Sequence, residues 1–239
     1  MKLHISSSGD EKKNRPVVIF YHGAGFSNNK VNAPQFQHLA AHFTSLGMVS
    51  ISAEYRLLEK EGLFSPIESL INAKSAIRWV REKADELGID PNKVIAAGAS
   101  AGGYLCLCCA QIEHFNDPND DVQISSVPDA MIIFNGGVNS KPLIDLFPEL
   151  ADELLISLPI YHIKEGLPPS LLFHGTNDLN IPLQDIIAFT DTSKRIGNSI
   201  KLVTFEGMGH GFFNFGAHDN IPYHRTLLEM ETFLKDLDF

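Results

Sequence analysis

Residues 93–110 read KVIAAGASAGGYLCLCCA: an apolar run, a turn of small residues around one serine, and a second apolar run. The first run predicts a buried strand, and the second is compatible with a helix. Between them, Gly98-Ala99-Ser100-Ala101-Gly102 matches the pattern G-x-S-x-G. After a strand and before a helix, this pattern predicts a nucleophile elbow, in which the serine backbone is strained and its neighbours must be small. A solvated serine in a Gly/Ala-rich loop is the alternative interpretation.

Short apolar runs alternate with longer helical patterns on both sides of this turn. The alternation predicts an α/β fold with a mostly parallel central sheet and helices on both faces, which is a three-layer sandwich. We expect strands at 15–22, 47–54, 93–97, 129–135, 170–174 and 199–205, an edge strand at 1–6, and helices at 35–46, 65–88, 104–115, 183–196 and 223–237. In the 65–88 helix, Ser65 and Glu68 form a capping-box pattern around Pro66, and Gly88 suits a left-handed cap.

The chain carries no linker or internal repeat that would divide it. We therefore expect a single domain over residues 1–239, with a short lid-like insertion at about 141–166 that makes a helical excursion over the sheet edge. Cys106, Cys108 and Cys109 lie too close together for ordinary disulfides and lack the spacing of a zinc site. We expect all three cysteines to be buried on one helix.

Composition narrows the classes of partner. The 239 residues include 19 Lys+Arg against 29 Asp+Glu, a formal charge of -10, which repels phosphate backbones and anionic membranes. We therefore expect no nucleic acid and no membrane as partner. No apolar run approaches the roughly 18–20 residues of a membrane span, and the polar start lacks the apolar core of a signal peptide. The sequence as given predicts a soluble, cytoplasmic protein; export after removal of a leader and a homodimer both stay open.

A serine hydroxyl becomes a strong nucleophile only with a base that takes its proton and a carboxylate that orients the base. In enzymes with this elbow, the chain order is serine, acid, histidine. Asp178 follows the 170–174 strand and His210 follows the 199–205 strand, where the carboxyl ends of parallel strands carry catalytic loops. We predict that Ser100, Asp178 and His210 form a triad. A turn or cap aspartate and a loop histidine among glycines are the structural alternatives.

The remaining requirement is an oxyanion hole made of backbone N–H groups. His22-Gly23-Ala24-Gly25 follows the 15–22 strand as a small turn of the HGGG type. We predict that the amides of Gly23, Ala24 and Gly25 converge with the amide of Ala101, the residue after the serine.

Other side chains near these loops are expected to be mainly structural. His22 and His174 each precede a loop glycine, where a ring nitrogen can satisfy loop carbonyls. Trp79 is expected in the core. The histidines show no H-E-x-x-H spacing, so we expect no metal site. Four aromatic residues adjoin the loops and either line an acyl pocket or pack in the core: Phe26, Tyr104, Phe212 and Phe213.

The chain resembles the α/β-hydrolase esterases of the hormone-sensitive-lipase and acetyl esterase type, which include xylan-deacetylating carbohydrate acetyl esterases. The resemblance covers nearly the whole chain and rests on YHGAGF at 21–26, AEYRL at 53–57, SAIRWVREKADELGIDPNKV at 75–94, GASAGG at 98–103, LPPSLLFHGTNDLNIP at 167–182 and FEGMGHGFFN at 205–214. It implies an α/β-hydrolase fold, with Ser100 as nucleophile, Asp178 as acid, His210 as base and residues 22–25 as the oxyanion turn.

Three features depart from that family. Ala24 stands where the family more often has Gly, and Asn72 stands where many relatives carry Asp. The long N-terminal cap of the lipase branch has no counterpart, because only about fifteen residues precede the strand before the oxyanion turn. The missing cap implies a shallow, open site that suits a small acyl group on a bulky alcohol.

Residues and resemblance together predict a serine carboxylesterase that needs no metal or cofactor. The resemblance implies short-chain acyl esters, chiefly acetyl esters, of small molecules or of carbohydrates such as acetylated xylan. A prolyl-oligopeptidase-like peptidase shares the triad order but usually requires an additional domain. A non-catalytic hydrolase-fold binding protein is the other alternative, and such proteins typically lose a triad member.

Overall fold

The central sheet has seven strands in the order β1-β3-β2-β4-β5-β6-β7, and only β1 runs antiparallel to its neighbour. The computed structural model describes residues 1–9, 12–23, 25–26, 32–57, 66–139, 144–145 and 148–239. The strands are β1 Lys2–Ser6, β2 Arg15–Tyr21, β3 Val49–Glu54, β4 Ile89–Ala99, β5 Ala130–Phe134, β6 Ser170–Gly175 and β7 Ile200–Phe205. This sheet confirms the predicted α/β fold.

β4 is several residues longer than the sequence predicts. β4 begins at Ile89 rather than at residue 93, and Ile89 pairs with Arg15 of β2 before the register shifts. The segment Asp90-Pro91-Asn92 hides this extension, because proline and short polar residues are typical of turns.

Helices connect successive strands from β2 to β7, as parallel pairing requires, and one more helix follows β7. They are α1 Gln37–Ser45, α2 Pro66–Glu82, α3 Ala84–Leu87, α4 Ala101–Gln111, α5 Ala151–Leu155, α6 Leu183–Arg195 and α7 Ile221–Asp236. The predicted 65–88 helix breaks after Glu82 into α2 and α3, and Gly88 forms the predicted left-handed cap at φ 64. Ser65 of the capping box lies outside the described residues.

α4 differs from its prediction at both ends. It begins at Ala101, three positions before the predicted start, although Gly102 and Gly103 are poor helix formers. It ends at Gln111, because the next residue, Ile112, has extended backbone angles. The early start places the first helical turn directly after Ser100.

Two apolar layers enclose the sheet. Alternate side chains of β2 point to opposite faces: Ile19 and Tyr21 to one, Val18 and Phe20 to the other. α2, α4 and α6 cover the first face, and α1 and α7 cover the second. Burial of the aromatic and aliphatic side chains between these layers is the main force that holds the strands in place.

The insertion at 141–166 is predicted as a helical excursion over the sheet edge. Its described part packs on α4, which itself covers the central strands β4 and β5. Tyr104 and Gln111 of α4 hold it through Ser157 Oγ at 2.6 Å and the Pro159 carbonyl at 3.2 Å. Leu154 of α5 is fully buried in the same apolar layer, which explains the position. Residues 141–143 and 146–147 lie outside the described residues.

The cysteines and the aromatic residues near the loops pack as core. Cys106, Cys108 and Cys109 are free, buried and on α4, as predicted. Phe26, Tyr104, Phe212 and Phe213 are each at most 4% exposed, and Trp79 is partly buried against the same core. No helix among the described residues combines the length and the apolar character that crossing a membrane demands.

Candidate active site

Ser100 lies in a strained turn between β4 and α4. Its backbone angles are φ 52 and ψ -114, a region that non-glycine residues rarely adopt. Ser100 occupies the N-cap position of α4, yet its side chain makes no capping hydrogen bond. The hydroxyl is therefore not spent on stabilising the helix, and the residue is half-buried at the sheet's carboxyl edge.

Close backbone approaches explain why the turn needs its glycines. A Cβ on Gly102 would overlap the carbonyl oxygen of Tyr21, and a Cβ on Gly98 would overlap the carbonyl of Gly102. The Ser100 amide donates to the Phe134 carbonyl at 2.9 Å, and the Tyr104 amide donates to the Ser100 carbonyl at 3.0 Å. Residues 98–102, which we call the elbow, thus have the small neighbours and strained serine that the sequence predicts.

Asp178 and His210 are brought together at the same edge of the sheet. His210 Nδ1 donates to Asp178 Oδ2 at 2.8 Å, so the imidazole carries its proton on Nδ1 and leaves Nε2 free to accept one. Asp178 Oδ1 accepts the amides of Asn180 at 2.9 Å and Ile181 at 3.1 Å. Burial alone would raise the pKa of Asp178, but these three hydrogen bonds outweigh it and the pKa is lowered.

The structure adds Asn135 as a support of the histidine. Asn135 follows β5, between the elbow and Asp178, and its Nδ2 donates to the His210 carbonyl oxygen. It is 1% exposed and adopts a positive φ of 39. Phe134, the residue before Asn135, accepts the Ser100 amide. The end of β5 therefore contacts both the elbow and the backbone of His210.

The turn at residues 22–25, which we call the oxyanion turn, differs from its prediction at Gly23. A Cβ on Gly23 would lie 3.6 Å from Ser100 Cβ, so the turn faces the serine. The Gly23 amide, however, donates to Gln35 Oε1 at 2.8 Å. This bond contradicts the expectation that the Gly23 amide is free to stabilise an oxyanion, because an amide has one hydrogen and the side chain of Gln35 takes it.

The other predicted oxyanion donors are the amides of Ala24, Gly25 and Ala101. Ala24 lies outside the described residues. Gly25 is exposed and has φ 57. Ala101 is the first residue of α4, a position whose amide has no acceptor within its own helix. The amides of Gly25 and Ala101 remain predictions as oxyanion donors.

Buried side chains hold the carbonyl side of the oxyanion turn. The Tyr55 hydroxyl lies 2.6 Å from the His22 carbonyl oxygen and 3.0 Å from that of Gly23. Burial raises the pKa of Tyr55 far above its ordinary value, which keeps it protonated as a donor. His22 Nδ1 lies 2.8 Å from the Gly23 carbonyl oxygen, and its ring stacks on Tyr55.

Both histidines predicted to be structural satisfy loop carbonyls. Burial lowers the pKa of His22, which favours a neutral ring bonded to the Gly23 carbonyl. His174 Nε2 donates to the Ile181 carbonyl at 3.0 Å, and burial lowers its pKa as well. Asn72 also makes a local contact, since its Oδ1 accepts the Arg56 amide at 3.0 Å.

Ser100, Asp178 and His210 therefore follow β4, β6 and β7 at one edge of the sheet. Asp178 and His210 are directly bonded, and Gly23 lies against Ser100. In the part of the chain that the structure describes, no hydrogen bond joins the Ser100 hydroxyl to His210; such bonds often tighten only when substrate binds. Within the same described residues, no group of three His, Cys, Asp or Glu side chains could hold a metal ion.

Sequence reasoning missed the residues that support this site: Gln35, Tyr55 and Asn135. Each lies in a different segment, and Gln35 and Asn135 belong to no recognisable motif. Only Tyr55 had a local signal, because it falls within the AEYRL stretch at 53–57.

Comparison with known proteins agrees with this geometry. The BD-FAE family model matches residues 3–149, and the prolyl oligopeptidase family model matches residues 152–236. The apo form of esterase 2 from Thermogutta terrifontis superposes with a TM-score of 0.92 and is 38% identical, covering 98% of this chain and 89% of that one.

Curated relatives are more distant. Esterase LipC of Mycobacterium tuberculosis is 24% identical over 84% of this chain and 54% of its own length. Carboxylesterase NlhH of the same species is 27% identical over 85% of this chain and 68% of its own length. The chain thus spans about half the length of LipC and two thirds that of NlhH. With its fold, its elbow and these similarities taken together, the chain belongs to the BD-FAE family of α/β-hydrolase esterases.

Proposed function

We propose that the protein is a serine carboxylesterase that hydrolyses short-chain acyl esters through an acyl-Ser100 intermediate. The observation that carries this proposal is the bonded Asp178–His210 pair, which leaves His210 Nε2 free at the sheet edge where Ser100 sits in a strained elbow. A binding protein would have no use for an uncapped, strained serine beside such a pair.

The reaction follows from the roles of these groups. His210 Nε2 removes the Ser100 proton as Oγ attacks the ester carbonyl, and Asp178 stabilises the imidazolium that forms. The amides of Ala101 and of the oxyanion turn beyond Gly23 stabilise the tetrahedral oxyanion, at about 3–4 kcal/mol per donor. The imidazolium then protonates the departing alcohol. Water, activated by His210, finally releases the acid and restores Ser100.

Relatives support a short acyl chain. Structures of Thermogutta terrifontis esterase 2 that are 37% and 36% identical to this chain contain propionate and butyrate. Others of the same enzyme are phosphorylated by paraoxon or phosphonylated by sarin. We extend this chemistry to the present chain, with acetyl esters of carbohydrates as the natural substrate class on the basis of the family resemblance.

A panel of p-nitrophenyl esters tests the proposal. We expect kcat/KM to be highest from acetyl to butyryl and to fall steeply by octanoyl, with acetylated xylan also deacetylated. Ser100→Ala should abolish every activity, whereas the matched change Ser199→Ala, at an exposed serine, should leave them intact. A maximum at octanoyl would contradict the short-chain assignment, and full activity in Ser100→Ala would contradict the mechanism.

A peptidase is the second candidate, because the prolyl oligopeptidase family model matches residues 152–236, which contain Asp178 and His210. Prolyl p-nitroanilide substrates discriminate between the two functions. We expect ester cleavage to exceed anilide cleavage by several orders of magnitude, and the reverse order would favour the peptidase.

A further inference from the structure

A chain of amide groups links the oxyanion turn to the loop that carries His210. The Gly23 amide donates to Gln35 Oε1 at 2.8 Å, and Gln35 Nε2 donates to Asn214 Oδ1 at 3.0 Å. Asn214 Nδ2 donates in turn to the Gly211 carbonyl at 3.1 Å. This series of hydrogen bonds therefore begins next to Ser100 and ends one residue after His210.

The donors and acceptors at the two ends fix the orientation of both amide side chains, Gln35 and Asn214. A backbone N–H can only donate, so the oxygen of Gln35 must face Gly23 and its nitrogen must face Asn214. A backbone carbonyl can only accept, so the nitrogen of Asn214 must face Gly211. Each amide side chain thus has one orientation that satisfies both of its neighbours. Exchanging its oxygen and nitrogen would break the hydrogen bond on either side.

Ring contacts hold the same two segments together. Phe36 stacks on Phe213 with ring centroids 6.1 Å apart, and His38 stacks on Phe215 at 3.8 Å. Three consecutive contacts thus join residues 35–38 to residues 213–215. Gln35 is the member of this set whose polar atoms reach the oxyanion turn.

We propose that Gln35 is a positioning residue that sets the oxyanion turn relative to the histidine loop, through Gly23 at one end and Asn214 at the other. This inference rests on the proposed esterase function. By accepting the hydrogen of the Gly23 amide, Gln35 fixes the start of the turn, and the amide of Gly25 later in the turn is a remaining candidate for an oxyanion donor. Through Asn214 it ties that orientation to the backbone beside the catalytic base.

The expected consequence is a loss in kcat and not in KM. The oxyanion exists only in the transition state, so a displaced turn weakens transition-state binding and leaves ground-state binding almost unchanged. A displacement of about 1 Å in a catalytic site costs about 100-fold in rate, and a smaller displacement costs less. We therefore expect Gln35→Met, which keeps the side-chain length and removes both hydrogen bonds, to lower kcat about 10- to 30-fold with KM within about twofold.

The test compares Gln35→Met, Asn214→Ala and the double variant with Gln37→Met as matched control. Gln37 is exposed on the same segment, and its side-chain Nε2 lies 3.4 Å from Nε2 of the exposed His38. p-Nitrophenyl acetate hydrolysis is measured per active site titrated with a fluorophosphonate, so that unfolded protein does not count. The rate of phosphonylation is followed as well, because the phosphoryl oxygen occupies the same oxyanion site.

The proposal expects wild-type behaviour in Gln37→Met, a smaller loss in Asn214→Ala than in Gln35→Met, and a double variant no worse than Gln35→Met alone. Such non-additivity means that the two residues act through the same series of hydrogen bonds. Wild-type kcat per titrated site in Gln35→Met, or a double variant that multiplies the two losses, would overturn it. If Gln35→Met fails to fold, Asn214→Ala carries the test: a kcat loss of about 3- to 10-fold at constant KM supports the proposal and no loss overturns it.

Failure of the esterase proposal has a different signature. It would appear as a wild type without turnover of any ester, or as undiminished turnover in Ser100→Ala. The phosphonylation rates of the Gln35 and Asn214 variants would still report whether the turn is held as we infer.

Discussion

The elbow and the oxyanion turn face each other across Ser100, yet they are built in opposite ways. The elbow is specified locally: its glycines permit backbone contacts that any side chain would block, and its bonds run to the adjacent strand and helix. The oxyanion turn is held from outside, by Gln35 at one end of Gly23 and Tyr55 at the other. A short motif can therefore encode the first, whereas the second depends on side chains that only the folded chain brings together.

The loop that carries Asp178, which we call the acid loop, is specified locally, as the elbow is. Asp178 fixes its own loop by accepting two amides that follow it within three residues. The histidine loop is intermediate, since Asn214 supports it from within the loop and Asn135 supports it from another segment. A substitution in a locally built part should abolish folding or activity. A substitution in a part held by distant side chains should only reduce stability or kcat.

The largest expected effect is at Gly102. Gly102→Ala should prevent the elbow from forming, because the added methyl group would overlap the Tyr21 carbonyl in the centre of the sheet. We expect a loss of several kcal/mol in the free energy of unfolding, measured by urea denaturation, or failure to fold. Gly137→Ala is the matched control, since its Cβ would find only ordinary contact at 3.8 Å. Equal stability of the two variants would break the comparison.

The next effect is in the acid loop. In Asp178→Asn the amide oxygen should stay on the Asn180 and Ile181 amides, which turns the NH₂ group toward His210 Nδ1. The imidazole must then carry its proton on Nε2, where it cannot act as base, and kcat should fall about 10³- to 10⁴-fold. The exposed Asp236 provides the control Asp236→Asn. Activity within tenfold of wild type would show that Asp178 does not orient the base.

A smaller effect is expected where the oxyanion turn is held by a side chain. Tyr55→Phe removes the hydroxyl and leaves the buried carbonyls of His22 and Gly23 short of a donor. We expect a loss of about 1–3 kcal/mol in stability and a kcat reduced about 3- to 10-fold. Tyr161→Phe, at a residue that is 71% exposed, should change neither quantity. A loss of activity as large as that of Asp178→Asn would remove the distinction between local and remote support.

The smallest effect concerns pH. The pKa of Asp178 is lower in the folded protein than in the unfolded chain, where it is about 3.9. Its ionisation therefore contributes stability that is fully present above the unfolded pKa and is lost as the pH falls through the folded pKa. The stability difference between wild type and Asp178→Asn should be constant from pH 7 to about 5 and should shrink below about 4. A difference that grows toward acid would contradict the direction of the shift.

The local parts are also those that sequence alone could predict. The strand–turn–helix pattern around Ser100 and the positions of Asp178 and His210 after β6 and β7 follow from short-range signals, because buried parallel strands and sharp turns restrict which residues are allowed. Gln35 and Asn214 are separated by 179 residues, and Asn135 and His210 by 75. No periodicity or spacing relates such pairs, so the sequence alone predicts the Gly23 amide as an oxyanion donor, whereas in the structure it donates to Gln35.

Tertiary contacts likewise overrode local signals elsewhere. The start of β4 at Ile89 depends on pairing with Arg15, and α4 runs through two glycines because their lack of side chains lets the helix approach β2 and β5. The insertion reaches α4 through the Tyr104–Ser157 bond, for which the sequence offers no marker.

Covalent labelling tests the central claim, that the elbow makes Ser100 the nucleophile, most directly. A strained serine served by His210 should be far more reactive than other serines, whose hydroxyls lack a positioned base. A fluorophosphonate should therefore add once per chain, as seen by intact-mass spectrometry, and peptide mapping should locate the adduct on Ser100. Labelling should be absent from Ser100→Ala. No adduct on the wild-type chain, or an adduct on another serine, would contradict the account.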